Sequence, residues 1–520
     1  MSSAPQDWQP ELDELARRLQ LARQMGGADK VARQHAQGKL DVRQRIAQLL
    51  DDGSFHEIGA LSGRAGYDEA GRLCGFTPAN FLFGRGRIDG RPVMVGADDF
   101  SIRGGAADGG IRDKTLMAER MAFELRMPIV RLIDGTGGGG SVKSIETEGR
   151  TYVPAVQGWH QMVANLGTVP VVSLLLGSVA GFGAGRAVNS HYSAMVKGSS
   201  QMFTAGPPVV ARIGEQLDKN ELGGSEVHAR NGSIDDEVAS EAEAFERARR
   251  FLSYLPSSVH ELPPRGPVHD DAQRREARLL GIVPRERRRA YKMRSIIEDV
   301  VDRGSFFEIG KGYGRSLICG LARLDGWPMA LLAGDPFFDG GALSALAAQK
   351  MTRHIDLAQT FHLPVVHLVD CPGFKIGLEA EMTATLRHGA RAMAAVCQAT
   401  VPWCSVIVRK VYGVAGGAHQ NSARCNMRYA WPSGDWGSLP LEGGIEVAYK
   451  AELAQAADPQ QMVREISERI ERIRSPFRTA EAFRIEDIID PRDTRPLLVD
   501  FAHQASRVLE PGPSTSWCRP

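Results

Sequence analysis

The chain has 520 residues, with 63 Lys+Arg against 62 Asp+Glu and a net charge of +1, so there is no global positive field to hold nucleic acid or an anionic membrane. Apolar residues make up 43% and charged residues 24%. That is ordinary for a globular protein, and a chain this long buries a large core without disulfides or structural metal. Seven scattered cysteines with no C-x-x-C pair argue against a zinc ribbon and a secreted disulfide framework.

The first twenty residues have no apolar signal core and carry acidic residues. The longest apolar run, 169–176, is too short to span a bilayer. The expectation is a cytoplasmic protein with no membrane and no nucleic-acid partner. Glycine is the outlier at 57 residues, above the usual share of about 7%. It lies within ordered-looking segments, which predicts tight turns and close backbone approach.

An internal repeat organises the chain. Asp51-Asp52-Gly53-Ser54-Phe55 recurs as Asp302-Arg303-Gly304-Ser305-Phe306, and Asp89-Gly90 recurs as Asp325-Gly326. Gly104-Gly105 matches Gly340-Gly341, and the apolar run ending in Asp134 matches the one ending in Asp370. Val169-Pro170 then matches Val401-Pro402, and Gly181 matches Gly413. Order and spacing persist throughout, so the chain reads as two copies of one domain. The expected division is 1–262, a linker at 263–290 rich in Pro and Arg, and 291–520.

In the first copy, short β-branched runs at 91–95, 128–133 and 169–176 alternate with helix-like segments. One of these, 115–125, places Leu116, Met117, Met121 and Leu125 on a face. The second copy repeats this with strands at 328–332, 364–369 and 400–408 and a helix at 345–361. The fold class expected is α/β with covered sheets. Glycines follow the strands, as in Gly135 and Gly137 to Gly140, and in Gly181, Gly183 and Gly185. A glycine-rich strand exit leading into a helix presents free backbone N–H groups at a positive helix end. Gly181-Phe182-Gly183-Ala184-Gly185 is not G-x-G-x-x-G, and the chain has no phosphate-loop, nucleophile-elbow or H-E-x-x-H motif. Two readings remain for these glycines. One is close packing of helix on sheet. The other is an oxyanion hole of paired amides in each copy.

Longer stretches then become recognisable. They are His35-Ala36-Gln37-Gly38-Lys39-Leu40, Phe203-Thr204-Ala205-Gly206-Pro207-Pro208, Glu221-Leu222-Gly223-Gly224-Ser225, Asp370-Cys371-Pro372-Gly373-Phe374, Arg409-Lys410-Val411-Tyr412-Gly413 and Tyr429-Ala430-Trp431-Pro432. In these the chain resembles the carboxyltransferase β subunits of biotin-dependent acyl-CoA carboxylases, from about residue 30 to about 480. The resemblance implies two tandem crotonase-like domains. It implies acyl-CoA on the first and biotin on the second, with the site formed between subunits of a ring-like homohexamer. It further implies transfer of a carboxyl group from carboxybiotin to the α-carbon of an acyl-CoA through a thioester enolate.

On that resemblance the hole residues are Gly181 and Phe182 in the first copy and Gly413, Val414 and Ala415 in the second. Arg103, Gly104, Gly105, Gly135 and Gly183 belong to the acyl-CoA side, and Pro372, Gly373 and Phe374 to the biotin side. No metal is expected. Biotin arrives on a separate carrier, with a biotin carboxylase/carrier α subunit as partner, since the chain shows no carrier-like segment. Two departures stand out: the family usually has Gly-Gly where this chain has Gly181-Phe182 and Gly413-Val414. Backbone N–H groups survive both changes, while a side chain in each place narrows the acyl or biotin slot.

Other residues carry structural readings. Lys292, in Ala290-Tyr291-Lys292-Met293, is an unmodified lysine rather than a biotin anchor. Arg103 is either a CoA-phosphate contact or a solvated arginine. Glu215 and Glu221 read as capping residues, and Asp134 and Asp370 as strand-end turn residues. His191, His388 and His419 show no metal spacing, and Cys371 has no base beside it. The rival functions are a biotin-dependent or biotin-independent acyl-CoA decarboxylase on the same fold, a crotonase-type hydratase or isomerase, and a non-catalytic scaffold.

Overall fold

The computed structural model describes residues 7–519 except 107–108, 136–144, 147–148, 152, 154–157, 422, 425–426 and 517. The chain divides into unit 1, Met1–Ser253 with Arg519–Pro520, and unit 2, Tyr254–Cys518.

Unit 1 is built on a seven-stranded mixed sheet. Its strands are β1 (His56–Ile58), β2 (Phe81–Ile88), β3 (Arg91–Asp98), β4 (Ile129–Ile133), β5 (Val171–Leu175), β7 (Tyr192–Val196) and β9 (Asp236–Val238), in that spatial order. A separate parallel pair joins β6 (Ser178–Ala180) to β8 (Gln201–Phe203). The first three strands are antiparallel and the rest parallel. Every residue of β4 and β5 is buried, as strands covered on both faces require.

Unit 2 repeats this frame. Its strands are β10 (Phe307–Ile309), β11 (Leu317–Leu324), β12 (Trp327–Gly334), β13 (Val365–Cys371), β14 (Trp403–Tyr412), β15 (Met427–Ala430), β16 (Asp435–Gly437) and β17 (Asp487–Ile488). The main path runs β10-β11-β12-β13-β14-β15-β17, with β16 on β14.

The repeat extends to register and backbone. Met94 pairs with Ile129 and Ala330 with Val365, the same positions in each copy. Left-handed residues recur in pairs: Asp89 and Asp325 at φ 51° and 49°, Arg103 and Asp339 at 53° and 48°, and Gly181 and Gly413 at 58° and 59°. Non-glycine residues adopt this region only under local constraint, so matching outliers mark turns that both copies need.

Several elements run longer than their apolar runs suggest. The strands expected at 91–95 and 328–332 extend to Asp98 and Gly334. The helix expected at 115–125 is α2, Arg112–Glu124, but its buried face differs from the expected one. Lys114, Ala118, Glu119 and Ala122 are buried, whereas Met117 and Leu125 are exposed. Alanines allow close approach to the sheet, and Glu119 is accepted inside because Arg131 of β4 grips it with two hydrogen bonds of 2.7 and 2.8 Å. The helix expected at 345–361 is Ala345–Thr360. Residues 263–290, expected as a linker, lie within unit 2: Leu279 is buried, and Arg274 donates to the carbonyls of Asp299 and Val301 at 2.8 Å. Among the described residues, no helix is long and apolar enough to cross a membrane.

Candidate active site

Each unit carries the same device, a left-handed turn, a strand end and a helix start brought into contact. In unit 1 the turn is Arg103–Gly105, with φ of 53°, 61° and 66°. A Cβ on Gly105 would lie 2.5 Å from the Asp134 carbonyl, and one on Gly135 would lie 2.6 Å from the Gly105 carbonyl. A Cβ on Gly183 would lie 3.1 Å from the Gly135 carbonyl. Gly135 therefore sits between the turn and helix α4 (Phe182–Val188), and the three glycines are needed for that approach. Gly181, at φ 58° and ψ −125°, caps α4 and turns the chain into it. Gly185 N–H bonds back to the Gly181 carbonyl at 3.1 Å. The amides of Phe182 and Gly183 lie in the first turn, where a helix has no internal acceptor for them.

In unit 2 the turn is Asp339–Gly341. A Cβ on Gly341 would lie 2.6 Å from the Asp370 carbonyl. The Pro372-Gly373-Phe374 segment follows β13, and the Gly373 carbonyl accepts from Leu343 N–H at 2.9 Å. The Phe374 ring occupies the space where Gly389 lacks a side chain. Gly413 opens helix α9, Gly413–Gly417, so Val414 and Ala415 present first-turn amides. Phe182 is 37% exposed and Val414 62% exposed, so the two departures project from the helix starts. Phe182 lies 6.3 Å from Trp159, ring centre to ring centre. Arg103 and Gly104 share the unit 1 turn, and Arg103 is exposed. The glycine run beyond Gly135 lies outside the described residues.

Ion pairs hold both devices in place. Helix α1 (Val42–Leu49) starts at a capping box in which Asp41 accepts from the amides of Arg43 and Gln44 and Gln44 returns the bond. That start aims Arg45 inward, 2.8 Å from the carboxylates of both Asp134 and Glu241. Lys39 stands 4.0 Å from Asp134, and burial lowers its ammonium pKa. Asp370 is held by Arg409 at 3.1 Å, by the Tyr291 hydroxyl at 2.7 Å and by the Lys410 amide at 3.0 Å. The strand-end aspartates are thus buried anchors for the two turns. The sequence signal for this was their matched position; their partners, scattered through the chain, gave none.

The remaining candidates take structural places. Glu221 closes a capping box with Asp218, and Glu215 is exposed. Tyr291 is buried while Lys292 is exposed at a helix start. His191 is buried, its Nδ1 accepting from Val171 N–H and its Nε2 bonded to the Leu166 carbonyl. His388 meets Gln349 at 3.1 Å. Burial pushes the Cys371 thiol up to about 11, so no thiolate forms at neutral pH. Among the described residues, no three His, Cys, Asp or Glu side chains converge as metal ligands.

Residues 33–508 match the carboxyl transferase domain family. The chain is 31% identical over 497 residues to the propionyl-CoA carboxylase carboxyltransferase subunit of Haloferax mediterranei, covering 94% of each chain. It is 33% identical over 504 residues to the methylmalonyl-CoA carboxyltransferase 12S subunit of Propionibacterium freudenreichii subsp. shermanii, covering 93% of this chain and 92% of that one. Among solved structures, transcarboxylase 12S, a hexamer with methylmalonyl-coenzyme A and methylmalonic acid bound, superposes with a TM-score of 0.86 at 28% identity, covering 99% of this chain and 98% of that one. Both units are accordingly crotonase-like α/β domains in tandem.

Proposed function

We propose, for a chain that belongs to the carboxyl transferase domain family and is an acyl-CoA carboxyltransferase, that unit 1 binds the acyl-CoA and unit 2 binds biotin, each through the amides at one helix start. The single observation that carries this reading is the duplicated device: two first-turn amide pairs, each following a left-handed glycine, at φ 58° and 59°.

The chemistry requires a pair of such sites. Loss of the α-proton from an acyl-CoA thioester leaves an enolate, and its charge collects on the thioester oxygen. The amides of Phe182 and Gly183 donate to that oxygen, and the N-terminal end of α4 adds a positive potential. The α-carbon would then form its C–C bond to the carboxyl carbon as that carbon's bond to the ureido nitrogen breaks, and the freed nitrogen would take up the proton lost from the α-carbon. Gly105 and Gly135 let the turn and the strand end pack against each other closely enough to hold these amides in place. Arg103, on the exposed turn, meets a CoA phosphate.

The unit 2 residues fit a ureido group, because Val414 and Ala415 supply donors in the first turn of α9 and Gly341, packed against the Asp370 carbonyl with no room for a Cβ, holds the strand end beside them. Bound there on a carrier from another polypeptide, biotin supplies the carboxyl group. Pro372 and Phe374 line its approach. Val414 narrows that slot and Phe182 the acyl slot, so both set which partners enter. The subunits assemble as a hexamer, as transcarboxylase 12S does, and a biotin carboxylase/carrier subunit serves them.

The test is release of CO2 from malonyl-, methylmalonyl- and 3-methylglutaconyl-CoA by the purified chain, with and without free biotin. Release that requires biotin is the expected result. Release without biotin would make the protein a simple decarboxylase, and no release from a folded sample would favour a scaffold.

A further inference from the structure

The two units differ behind their glycine turns. In unit 1, Arg131 of β4 stands beside Ser173 of β5 and Gly96 of β3. Arg131 donates to the carbonyls of Arg186 and Asn189 at 3.0 and 2.7 Å, and the Ser173 hydroxyl also donates to the Arg186 carbonyl. The Arg186 side chain reaches the Asp98 carboxylate at 3.1 Å and lies over the Phe81 ring at 5.4 Å. Charge and an aromatic ring fill the space.

In unit 2 the register repeats, with His367 between Ser405 and Leu332. Here the Ser405 hydroxyl donates to the His419 carbonyl at 2.8 Å, as Ser173 does to that of Arg186, while Ala418 takes the place of Arg186 in the repeat. Phe81 and Asp98 give way to Leu317 and Gly334 at the same strand positions. The result is a cavity of about 20 Å³ whose lining includes Ser316, Leu317, Gly334, His367, Ala418 and His419. Ser316 Oγ, His367 Nδ1 and His419 Nε2 are buried without a partner among the described residues. Their residues are 3%, 6% and 6% exposed.

The tautomers follow from the partners that exist. His419 Nδ1 lies 2.7 Å from the Gly416 carbonyl, so that nitrogen carries the hydrogen. Burial lowers the pKa of both rings, that of His367 to about 3. Each is therefore neutral, and His419 Nε2 is a bare lone pair. His367 bonds to the backbone of His419 with its other nitrogen, leaving Nδ1 as a second lone pair. Two acceptors and one hydroxyl select an occupant with two donors and one acceptor. Carbon dioxide has no donor and bicarbonate only one. A water molecule needs about 10–15 Å³ and two to four polar partners.

We propose that this cavity is a hydration site, in which one buried water donates to His367 Nδ1 and His419 Nε2 and accepts from the Ser316 hydroxyl. The site also makes His419 a positioning residue, a role that rests on the reading of unit 2 as the biotin half. Its Nδ1–H holds the Gly416 carbonyl, and Gly416 lies in the short helix α9 whose first turn presents Val414 and Ala415. The water fixes the tautomer that keeps this bond.

A crystal structure of the full chain tests the site. Density within hydrogen-bond reach of all three atoms is expected; a dry cavity, or rings turned to other partners, would overturn the proposal. The positioning role is tested by the biotin-dependent release of CO2 from methylmalonyl-CoA. His419→Leu should lower kcat by up to about 10²-fold, the cost of an ångström-scale misplacement, with KM for the acyl-CoA unchanged. His419→Asn, whose amide still donates to Gly416, should recover most of it. An unchanged kcat in folded His419→Leu, or an equal shift in KM for the acyl-CoA, would sink the positioning role. A wild-type chain with an ordered water but no biotin-dependent rate would instead fault the functional reading and leave the hydration site standing.

Discussion

At matching strand positions Asp98 and Arg131 of unit 1 meet Gly334 and His367 of unit 2, and the carbonyl held by the strand serine belongs to Arg186 in the first and to His419 in the second. The first set is two guanidinium groups and a carboxylate; the second is two neutral imidazoles around a small cavity. The strand register is unchanged, and so are the left-handed turns. One backbone frame thus tolerates either charged packing or a small cavity lined by neutral rings. What the frame preserves is the route of the main chain, on which the amide donors ride, and this leaves side chains free to diverge between the two units.

The largest expected contrast lies in the anchors of the two strand-end aspartates. Arg45→Met strands Asp134 and Glu241 without their shared guanidinium, and removing one partner of a buried pair costs about 3–5 kcal/mol. Tyr291→Phe removes one neutral donor from Asp370, which keeps Arg409 and the Lys410 amide, and should cost about 1–3 kcal/mol. Denaturant unfolding of both variants measures this. Equal losses would break the distinction between a charged anchor and a shared one.

Acidification should separate the units next. His354 and His367 of unit 2 are held by burial near 4 and 3, below the ordinary value of about 6.5. The unfolded chain takes up protons below 6.5 and the folded chain does not, so their contribution is full above that pH and falls as pH drops toward 3–4. In unit 1, burial raises Asp99 and Asp236. The folded chain keeps those protons where the unfolded chain has lost them, so acidification through their folded pKa values favours folding. His228 of unit 1 shares the histidine sign. Hydrogen exchange at pH 7 and pH 5, corrected for intrinsic rates, should show unit 2 losing more protection. Equal loss in both units would contradict this.

The smallest effect is expected from Gly183→Ala, which gives unit 1 the residue unit 2 carries as Ala415. The new Cβ would sit 3.0 Å from Val179 and 3.1 Å from the Gly135 carbonyl. A shift of a few tenths of an ångström accommodates it, at about 1 kcal/mol. Thermal unfolding should register this, and KM for the acyl-CoA should rise. A loss as large as that of Arg45→Met would mean that the approach of α4 to Gly135 is far less forgiving than that of α9 to its strand.

Much of this was legible in the sequence, for a physical reason. Turns that need a left-handed residue leave Gly or Asp-Gly at fixed spacing, so Gly90, Gly104, Gly181 and their second-copy partners expose the repeat directly. Strands buried on both faces leave continuous apolar runs, as at Ile129–Ile133. The buried charges were not legible. Arg45, Glu119, Arg131 and Glu241 look like surface residues in one dimension, and only folding brings their partners within 3 Å. The same blindness misplaced the buried face of α2, where Glu119 and two alanines replace the larger apolar residues expected there. The cavity was invisible because it arises from what Gly334 and Ala418 lack.

On the proposed reading, the Phe182 amide, not its side chain, stabilises the transition state. Phe182 opens α4, a position where proline keeps a helix intact while removing one N–H. The decisive measurement compares Phe182→Pro with Phe182→Gly in biotin-dependent decarboxylation of methylmalonyl-CoA. Phe182→Pro should lose about 10²–10³ in kcat, while Phe182→Gly, which keeps the amide, should stay within about tenfold of the parent. Equal rates in the two folded variants would contradict it.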